Sequence, residues 1–544
     1  MTPLSFVLDH KTAEFRLSLH SLVEVYFRSF NHSFPALCRI LRIANNRFGP
    51  RRLSSQHLHL ILQTTPSFHF IVMFMSPATT LSGALLLLSR LPIAAAELKI
   101  DTRDNIVESS RSLGKDAMTF YHGEEPGNIP GVLPGPPAWG NGDYWWYQGA
   151  SFWATYLDYW HLTGDDSYAD TISTGMLHQT GPNNDYMPPN HTSSLGNDDQ
   201  CFWGTAALAA AEYDFPNVDG KATWIDLAKA VWTSQASPMR HDDTCNGGLR
   251  WQVPPSNAGY EYKQTASNAC FFNMGARLAR FTGNTTYSEW AEETWDWLFG
   301  VGLIDSETWA VYDGAHVETN CTDVNKNQWS YSAAMLVQGA AFIYNNTNGS
   351  DIWRERTDKL SESLLATFFP NGTAYEIACE GQKGACPQDA LWYKGYIHRW
   401  LSSAAQLAPF IADKVLPVLK SSAEAAVKQC VAGKSGLADQ CGFYWKDGAF
   451  ANPQTTDNTT GAGEAVSVLA AVSNLLIVDA KAPVTEADSK SSGSNGNGQG
   501  SSPSGTSGTA SPTGTTAPSG AESLAINIKM ALLTGCLMAL GWAI

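Results

Sequence analysis

Three pairs of adjacent aspartates have the residue type and spacing for acid–base chemistry in this 544-residue chain. They are Asp165-Asp166, Asp198-Asp199 and Asp242-Asp243. Cleavage of a glycosidic bond needs two carboxyl groups beside it, one ionised and one protonated. The simpler interpretation of an Asp pair before a helix is a cap, because its side chains accept hydrogen bonds from free N–H groups and favour the helix dipole.

The surroundings of the three pairs differ. Asp165-Asp166 fits the capping interpretation, because a second copy of the same turn has Asn284-Thr285 in place of both acids. Asp198-Asp199 follows a long irregular stretch and opens an aromatic-rich helix, as expected of catalytic side chains at the mouth of a helix. Asp242-Asp243 is not excluded by its pattern. From these residues alone, the second and third pairs are equal candidates.

Aromatic residues make up 11% of the chain, and the chain contains 19 Trp. Flat aromatic rings stack on the C–H faces of sugars, so clusters of them suit a glycan-binding cleft. For any single Trp, packing between helices is the simpler interpretation. The clusters are Tyr144-Trp145-Trp146-Tyr147, Phe202-Trp203, and Trp290 with Trp295 and Trp297.

The elements that would position these side chains are helices. Between Leu98 and about Ala482, apolar residues recur at three- and four-residue intervals, and strand-like alternation is scarce. The pattern therefore predicts an all-α domain. The expected helices cover Tyr144–Leu162, Gln200–Tyr213, Trp224–Ser234, Thr265–Phe281, Ser288–Phe299, Trp329–Tyr344, Ile352–Phe368, Leu391–Ile411 and Ala462–Val478.

A degenerate sequence repeat connects these helices. His161–Tyr168, Arg280–Tyr287 and Asn346–Trp353 each contain a Gly that would end a helix, then a polar residue able to cap the next one. The copies begin 119 and 66 residues apart, about two units and one unit of roughly 60 residues. Helix pairs with short connections favour a closed ring of hairpins, an (α/α) barrel, and a linear solenoid is the alternative.

Six motifs, taken in order, resemble the endo-α-1,6-mannanases of glycoside hydrolase family 76, and most of all their fungal GPI-anchored cell-wall branch. The motifs are Gly142–Gly149, Asn197–Gln200, Cys245–Gln252, Tyr260–Gln264, Gln328–Tyr331 and Tyr393–Gly395. The resemblance covers residues 98–480 and implies an (α/α)6 barrel with no metal cofactor. It also implies a retaining mechanism, with Asp198 as nucleophile and Asp199 as general acid/base. Substrate contacts are expected from Trp145, Trp146, Tyr260, Lys263, Asn268, Gln328 and Trp329.

The expected function is that of a mannan endo-1,6-α-mannosidase in cell-wall biogenesis, acting as a monomer on α-1,6-mannan or on the glycan of GPI-mannoproteins. One alternative is a transglycosidase that passes the covalent intermediate to another sugar and so attaches GPI-mannoproteins to wall glucan. Another is a non-catalytic mannan-binding wall protein, which would keep its function without Asp198 and Asp199. After residue 72, 27 basic residues face 48 acidic ones, a balance that excludes nucleic acid as a partner.

The start of the chain predicts secretion. Residues 73–96 combine an apolar run, Leu81 to Leu88, with the small residues Ala94-Ala95-Ala96, as is typical of a signal peptide. Pro92 and the short run argue against a core helix. The mature domain would begin near Glu97 and extend to 482. Residues 1–72 would be a disordered upstream extension that is not part of the native protein.

The end of the chain predicts a lipid anchor. Residues 483–521 are dominated by Ser, Gly, Thr and Pro, the composition of a disordered, O-glycosylated stalk. Residues 522–544 follow as a short spacer and an uncharged tail, Met530–Ile544, which is too short for a comfortable membrane span. This order is typical of a GPI-attachment signal, with Ser519 as the expected site. The protein would be held at the plasma membrane or cell wall.

Cysteines and glycosylation motifs agree with this route. Of ten cysteines, eight lie between the two signals, and an even number in a secreted domain indicates disulfides. No CxxC spacing occurs, which argues against a zinc site. The pairings expected from short Gly-containing loops are Cys379–Cys386 and Cys430–Cys441. Seven glycosylation acceptors are predicted: Asn190, Asn284, Asn320, Asn345, Asn348, Asn371 and Asn458.

Overall fold

The computed structural model of the chain describes residues 98–137, 140–432 and 439–493, with only the backbone at 490–493. The expected upstream extension, the signal peptide, most of the stalk and the anchor site at Ser519 lie outside the described residues. All described residues belong to one compact unit, 91–544.

The described residues are mostly helical, which confirms the all-α prediction. The helices are α1 (Arg103–Met118), α2 (Trp146–Thr163), α3 (Ala169–His178), α4 (Asn197–Glu212), α5 (Trp224–Gln235), α6 (Thr265–Thr282), α7 (Thr285–Gly300), α8 (Ser330–Asn346), α9 (Asp351–Phe368), α10 (Tyr393–Leu407), α11 (Ala412–Val427), α12 (Pro453–Thr456), α13 (Ala462–Ser473) and α14 (Glu486–Gly493). Short strands form two small antiparallel sheets: β1 (Tyr262–Gln264), β2 (Gly314–His316) and β3 (Val324–Asn325) in one, β4 (Cys430–Val431) and β5 (Gln440–Cys441) in the other.

Six helices, which we call the inner helices, pack on one another in a cycle: α2, α4, α6, α8, α10 and α13, with α13 returning to α2. Six others pack around them: α1 mainly on α13, α3 on α2, α5 mainly on α4, α7 on α6, α9 on α8, and α11 on both α10 and α13. The sequence explains the difference, because α8 is mostly apolar or small and buries every residue from Ser330 to Ile343. Helix α9 buries only a stripe from Trp353 to Phe368 and exposes its charged face.

Small residues allow the inner helices to approach closely. A Cβ added at Gly339 of α8 would lie 2.5 Å from the Phe272 ring and 3.2 Å from the Asn273 Cα on α6. Residues 462–479, which include α13, are long and apolar enough to cross a membrane, but most of this stretch is buried in the core. The apolar inner helices therefore form the core of the domain.

The repeat turns end helices as predicted. Gly164 and Gly283 stand at the ends of α2 and α6 with φ of 70° and 73°, and Asn284 caps α7 by accepting the Thr286 N–H. The expected cap by Asp165 is wrong. Its carboxylate accepts from the Ser167 N–H and the Tyr159 hydroxyl inside the turn, because α3 begins only after Tyr168.

Four disulfides join the eight cysteines of the described domain. The predicted pairings Cys379–Cys386 and Cys430–Cys441 are present. Two longer connections, Cys201–Cys270 and Cys245–Cys321, were not predicted. The asparagines of the seven glycosylation motifs are all exposed; they are Asn190, Asn284, Asn320, Asn345, Asn348, Asn371 and Asn458.

The helical domain continues past the expected boundary at 482. The Val484 N–H donates to the Glu212 carbonyl at 2.7 Å, and the Ser489 hydroxyl donates to Asp214 at 2.8 Å. Glu212 and Asp214 lie at the C-terminal end of α4, so this segment crosses that end of the inner helices. The boundary was placed too early because the composition indicates a linker, whereas Pro483 is buried against the domain.

Candidate active site

Asp198 and Asp199 stand in the first turn of α4. Gly196 precedes the helix in an extended conformation, and the Asp199 carboxylate accepts its N–H at 2.9 Å. The Asp198 carboxylate accepts the N–H of Asp199 at 3.0 Å. A carboxylate is favoured here because the first-turn N–H groups lack partners within the helix and the dipole is positive at this end.

A neighbouring loop fixes the backbone that carries this pair. The Asn197 N–H donates to the Trp251 carbonyl at 2.8 Å, and the Val253 N–H donates to the Leu195 carbonyl at 2.9 Å. The Asn197 side chain donates to the Arg250 carbonyl at 2.9 Å. This loop thus acts as a scaffold for the start of α4.

Both carboxyl groups are half-buried, and their protonation is linked. Burial raises the pKa of Asp198 well above its usual range, and the neighbouring Asp199 and Asp389 raise it further. Burial also raises the pKa of Asp199 to about 6, although the Gly196 N–H opposes this. Because two such charges repel each other, one carboxyl group stays protonated when the other ionises. One ionised and one protonated carboxyl is the state that glycosidic cleavage requires.

Asp389, a third carboxyl group, was missed in the sequence. It lies in the turn before α10, half-buried, and accepts a hydrogen bond from the Tyr147 hydroxyl at 2.6 Å. Its charge raises the pKa of both Asp198 and Asp199. A single Asp carries no local signal, although it stands four residues before the recognised motif at Tyr393.

Four aromatic side chains, which we call the aromatic floor, pack together near the starts of α4, α8 and α10. The floor consists of Phe202, Tyr331, Tyr393 and Tyr396. Tyr331 stacks on Tyr393 with ring centroids 4.1 Å apart, and Phe202 packs against Tyr396 at 5.5 Å. The charge of Asp198 acts on Tyr331, so the floor adjoins the carboxyl pair. All four side chains are only 2–7% exposed, so the floor belongs to the core and packs beside the carboxyl pair.

The two tryptophans of the first aromatic cluster have different environments. Trp145 is 40% exposed and stands at the start of α2. Trp146 is buried, stacks on His191 at 5.0 Å and donates its indole N–H to Gln179. Trp145 is therefore available to a ligand, whereas the expected substrate contact by Trp146 is not supported because its ring is part of the core.

Gln328 and Trp329 are half-buried immediately before α8. The Trp329 ring meets the Tyr393 ring edge-on at 5.8 Å, and its side chain hydrogen-bonds to Asp313. Trp329 therefore borders the aromatic floor, and Gln328 precedes it in the chain.

The structure corrects two of the expected substrate contacts, Lys263 and Asn268. Lys263 is fully buried and donates to Asp242 at 2.9 Å and to the Gly248 carbonyl at 2.7 Å. Asn268 is also fully buried and exchanges hydrogen bonds with the Leu249 backbone. Both stabilise the loop that supports α4. Tyr260 is half-buried, with the Arg250 guanidinium 4.3 Å from its ring centroid.

The third Asp pair is held in a structural network. Asp242 accepts from the Arg250 Nε at 2.5 Å and from Lys263, and it also binds Thr244. Burial raises the pKa of Asp242, but these hydrogen bonds outweigh it and hold the pKa well below the usual range. A carboxyl group with so low a pKa stays ionised and is a poor proton donor, which favours Asp198-Asp199 as the reacting pair.

Known proteins resemble this chain over the whole helical domain. The model of the family described as glycosyl hydrolase family 76 matches residues 105–487. The Saccharomyces cerevisiae protein named mannan endo-1,6-alpha-mannosidase DCW1 is 39% identical over 401 residues, which are 73% of this chain and 85% of that protein. A crystal structure of Dfg5 from Chaetomium thermophilum in complex with glucosamine is 59% identical with a TM-score of 0.70, covering 72% of this chain and 95% of that one. An alpha-1,6-mannanase from Salegentibacter shares the fold at 16% identity and a TM-score of 0.53, covering 68% of this chain and 99% of that one.

Proposed function

The chain belongs to glycosyl hydrolase family 76, and from this premise we propose that it hydrolyses internal α-1,6-mannosidic bonds of cell-wall mannan. The observation that carries the proposal is the linked carboxyl pair, Asp198 and Asp199, at the start of α4 beside the aromatic floor. A relative 39% identical over most of its length is named as an enzyme of this activity.

The proposed mechanism is retaining. A Cβ at Gly196 would overlap the Asp198 Oδ1 and lie 3.1 Å from the Asp199 Oδ2, so both carboxyl groups flank one glycine. Such closeness supports the separation of about 5–5.5 Å used by retaining enzymes over the wider one of inverting enzymes. The attacking carboxylate would form a glycosyl–enzyme bond while the other carboxyl protonates the leaving oxygen, and water would then release the sugar.

The division of roles is open to direct measurement. The family resemblance makes Asp198 the nucleophile and Asp199 the acid, whereas the higher pKa of Asp198 puts the proton of the free pair on Asp198. We keep the resemblance's roles, because bound substrate changes the environment of both groups and the free-state proton need not stay in place. Mass spectrometry of a trapped glycosyl–enzyme should find the sugar on Asp198; a sugar on Asp199 would reverse the roles.

We propose the (α/α)6 barrel for the domain. The closed cycle of six inner helices, with six outer helices packed around it, supports this architecture over a linear solenoid. A solenoid would leave its first and last helices without mutual contact, whereas α13 packs against α2.

We propose that the domain is secreted and GPI-anchored, with the stalk leaving at the end opposite the carboxyl pair. Four disulfides and seven exposed glycosylation motifs support an oxidising, secretory route. Residues 484–489 contact the C-terminal end of α4, whose first turn carries Asp198 and Asp199. The 16 residues of α4 span about 24 Å, so the cleft would face away from the anchored surface.

A second candidate is transfer of the glycosyl–enzyme sugar to another sugar. The Chaetomium relative binds glucosamine, an amino sugar whose ammonium group would be attracted by Asp198, Asp199 and Asp389. This favours the glycan of GPI-mannoproteins as a donor or an acceptor, with wall glucan as the other partner.

Incubation of the purified protein with unbranched α-1,6-mannan, with and without a β-glucan oligosaccharide acceptor, tests both candidates. Hydrolysis should give mannan fragments of intermediate length in either reaction. Transfer should give mannose-bearing acceptor products. Mannan that stays at full length in both reactions would reject the proposal and favour a non-catalytic binding protein.

A further inference from the structure

Two short segments are clamped together beside the carboxyl pair. Gln148 and Gln388 exchange side-chain hydrogen bonds at 3.1 and 3.2 Å, and the Gln148 Oε1 also accepts the Trp145 N–H at 2.7 Å. The next contact along each segment is the Tyr147–Asp389 hydrogen bond of 2.6 Å. The start of α2 and the turn before α10 therefore hold Asp389 in one position.

The clamp places Asp389 at the active site. The Tyr147 ring packs against Phe202 at 5.2 Å, and Phe202 stands one helical turn after Asp198 on α4. Tyr393 stands one turn after Asp389 and stacks on Tyr331, whose hydroxyl feels the charge of Asp198. Asp198 and Asp389 therefore border the aromatic floor from two sides.

We propose that Asp389 is a positioning residue of the active site whose charge, held in place by Tyr147, keeps a proton on the Asp198-Asp199 pair. This inference rests on the proposed function only for its kinetic consequence. The effect of the Asp389 charge on the protonation of Asp198 and Asp199 does not depend on the substrate.

The physical reason is like-charge repulsion in a partly buried place. An ionised carboxylate near two others disfavours their ionisation, and burial strengthens the effect because water screens less. The acid of a retaining glycosidase must hold its proton until the leaving oxygen takes it. Asp389 would extend the pH range over which that proton is present.

The titratable groups around the pair and Asp389 come from four elements. Tyr147 lies on α2, Tyr331 on α8, and Asp389 with Tyr393 and Tyr396 in the segment of α10 and the turn before it. Burial raises the pKa of each of these four tyrosines, so they stay neutral while the carboxyl groups titrate. Burial also raises the pKa of Asp389, but the hydrogen bond from the Tyr147 hydroxyl opposes this and favours the charged form that acts on both members of the pair.

The test is a carboxyl ¹³C NMR titration of the full mature protein with labelled aspartate, comparing the wild type with Asp389→Asn. Spectra of Asp198→Asn and Asp199→Asn assign the two signals. Removing the charge of Asp389 favours ionisation of the pair, so the higher of its two titration midpoints should fall by about one pH unit. Asp389→Glu keeps the charge, so its titration midpoints should stay close to those of the wild type.

Asp166→Asn is the matched control, because it removes the same charge from an exposed residue beyond the C-terminal end of α2. It should leave the pair's midpoints unchanged. Should Asp389→Asn fail to fold, Asp389→Ser removes the same charge with a smaller side chain. Unchanged midpoints in a folded neutral variant would overturn the proposal.

The pH profile of kcat/KM is a second readout, and it would not change if Asp389 had only a structural role. On α-1,6-mannan, the alkaline limb of kcat/KM in Asp389→Asn should shift to lower pH by the same amount as the midpoint, with KM nearly unchanged. A raised KM with an unmoved pH profile would instead make Asp389 a substrate-binding residue and overturn the proposal. If the wild type does not cleave mannan, the proposed function fails, and the NMR titration still decides the role of Asp389.

Discussion

Gly196 lies directly against the carboxyl group of Asp198. A Cβ built on Gly196 would overlap the Asp198 Oδ1 and would lie 3.3 Å from the Asp199 Cγ. The backbone of Gly196 is extended, with φ of −89°, so any residue could adopt its conformation. Glycine is needed here for space, because both reacting groups occupy the volume of a side chain.

Gly196→Ala should therefore displace the carboxyl pair without strain in the backbone. A shift of about 1 Å in catalytic groups is enough to lower turnover by about 10²-fold. We expect kcat on α-1,6-mannan to fall by about that factor, with the denaturation midpoint little changed. Gly300→Ala is the control, because a Cβ there meets no atom within 4 Å. Full activity in Gly196→Ala would show that the pair tolerates displacement.

Asp242→Asn should destabilise the protein and leave the chemistry intact. It removes the partner of the fully buried Lys263, and Asp242 itself is 32% exposed. We expect the free energy of unfolding at pH 7 to fall by about 2–4 kcal/mol, with activity per folded molecule retained. Because the folded-state pKa of Asp242 is depressed, this contribution is present above the unfolded pKa of about 4 and is lost as the pH falls below it.

Urea denaturation at pH 7 and at pH 3 measures this difference, with the exposed Asp243→Asn as the control. A folded but inactive Asp242→Asn would indicate that Asp242 takes part in the reaction.

The periodicity of the sequence was sufficient for most of the fold because the inner helices are apolar. All nine predicted helices have counterparts in the structure, although Pro409 ends the predicted Leu391–Ile411 helix at Leu407. Helices α1, α3, α11, α12 and α14 were missed. Helix α1 buries Ser109, Ser110 and Gly114 alongside Leu113 and Ala117, so small residues make its contacts and leave little apolar periodicity.

The site was partly predictable for a related reason. Asp198 and Asp199 are neighbours whose context is local, so pattern and resemblance both indicated them. Asp389 depends on Tyr147, a residue 242 positions away, and no local pattern connects the two. Lys263 was misassigned because a charged residue in a recognised motif was read as a ligand contact, whereas its charge is neutralised inside the domain by Asp242.

The disulfides should contribute to stability in order of loop length. Cys201–Cys270 joins residues 69 apart, and Cys379–Cys386 joins residues seven apart. In the chain-entropy account, the first restricts the unfolded chain by about 4 kcal/mol and the second by about 2 kcal/mol. Replacing each pair by alanines and comparing urea denaturation should show the larger loss for Cys201–Cys270. Equal losses, or the reverse order, would contradict this ranking.

Glu464→Gln should stabilise the protein at neutral and alkaline pH. Glu464 is fully buried in the first turn of α13, and burial raises its pKa to about 8. A raised folded-state pKa gives stability that is complete below the unfolded pKa of about 4.3 and is lost as the pH rises towards 8. Gln stays neutral in both states, so the variant should exceed the wild type by about 2–4 kcal/mol at pH 8 and by little at pH 4.5.

Urea denaturation at these two pH values checks the expectation, with the exposed Glu424→Gln on α11 as the control. A variant less stable than the wild type at pH 8 would show that the charge of Glu464 is compensated in the fold.

The most direct test of the account is turnover of unbranched α-1,6-mannan by Asp198→Asn and Asp199→Asn, measured beside Asp165→Asn and Asp242→Asn. Each change in the reacting pair removes either the nucleophile or the proton donor, so kcat should fall by at least about 10³-fold. The free energy of unfolding should stay the same. Asp165→Asn should keep full activity, because Asp165 only orders a turn beyond the C-terminal end of α2. If the two pair variants still cleave mannan while folded Asp242→Asn does not, the reacting pair has been placed at the wrong aspartates.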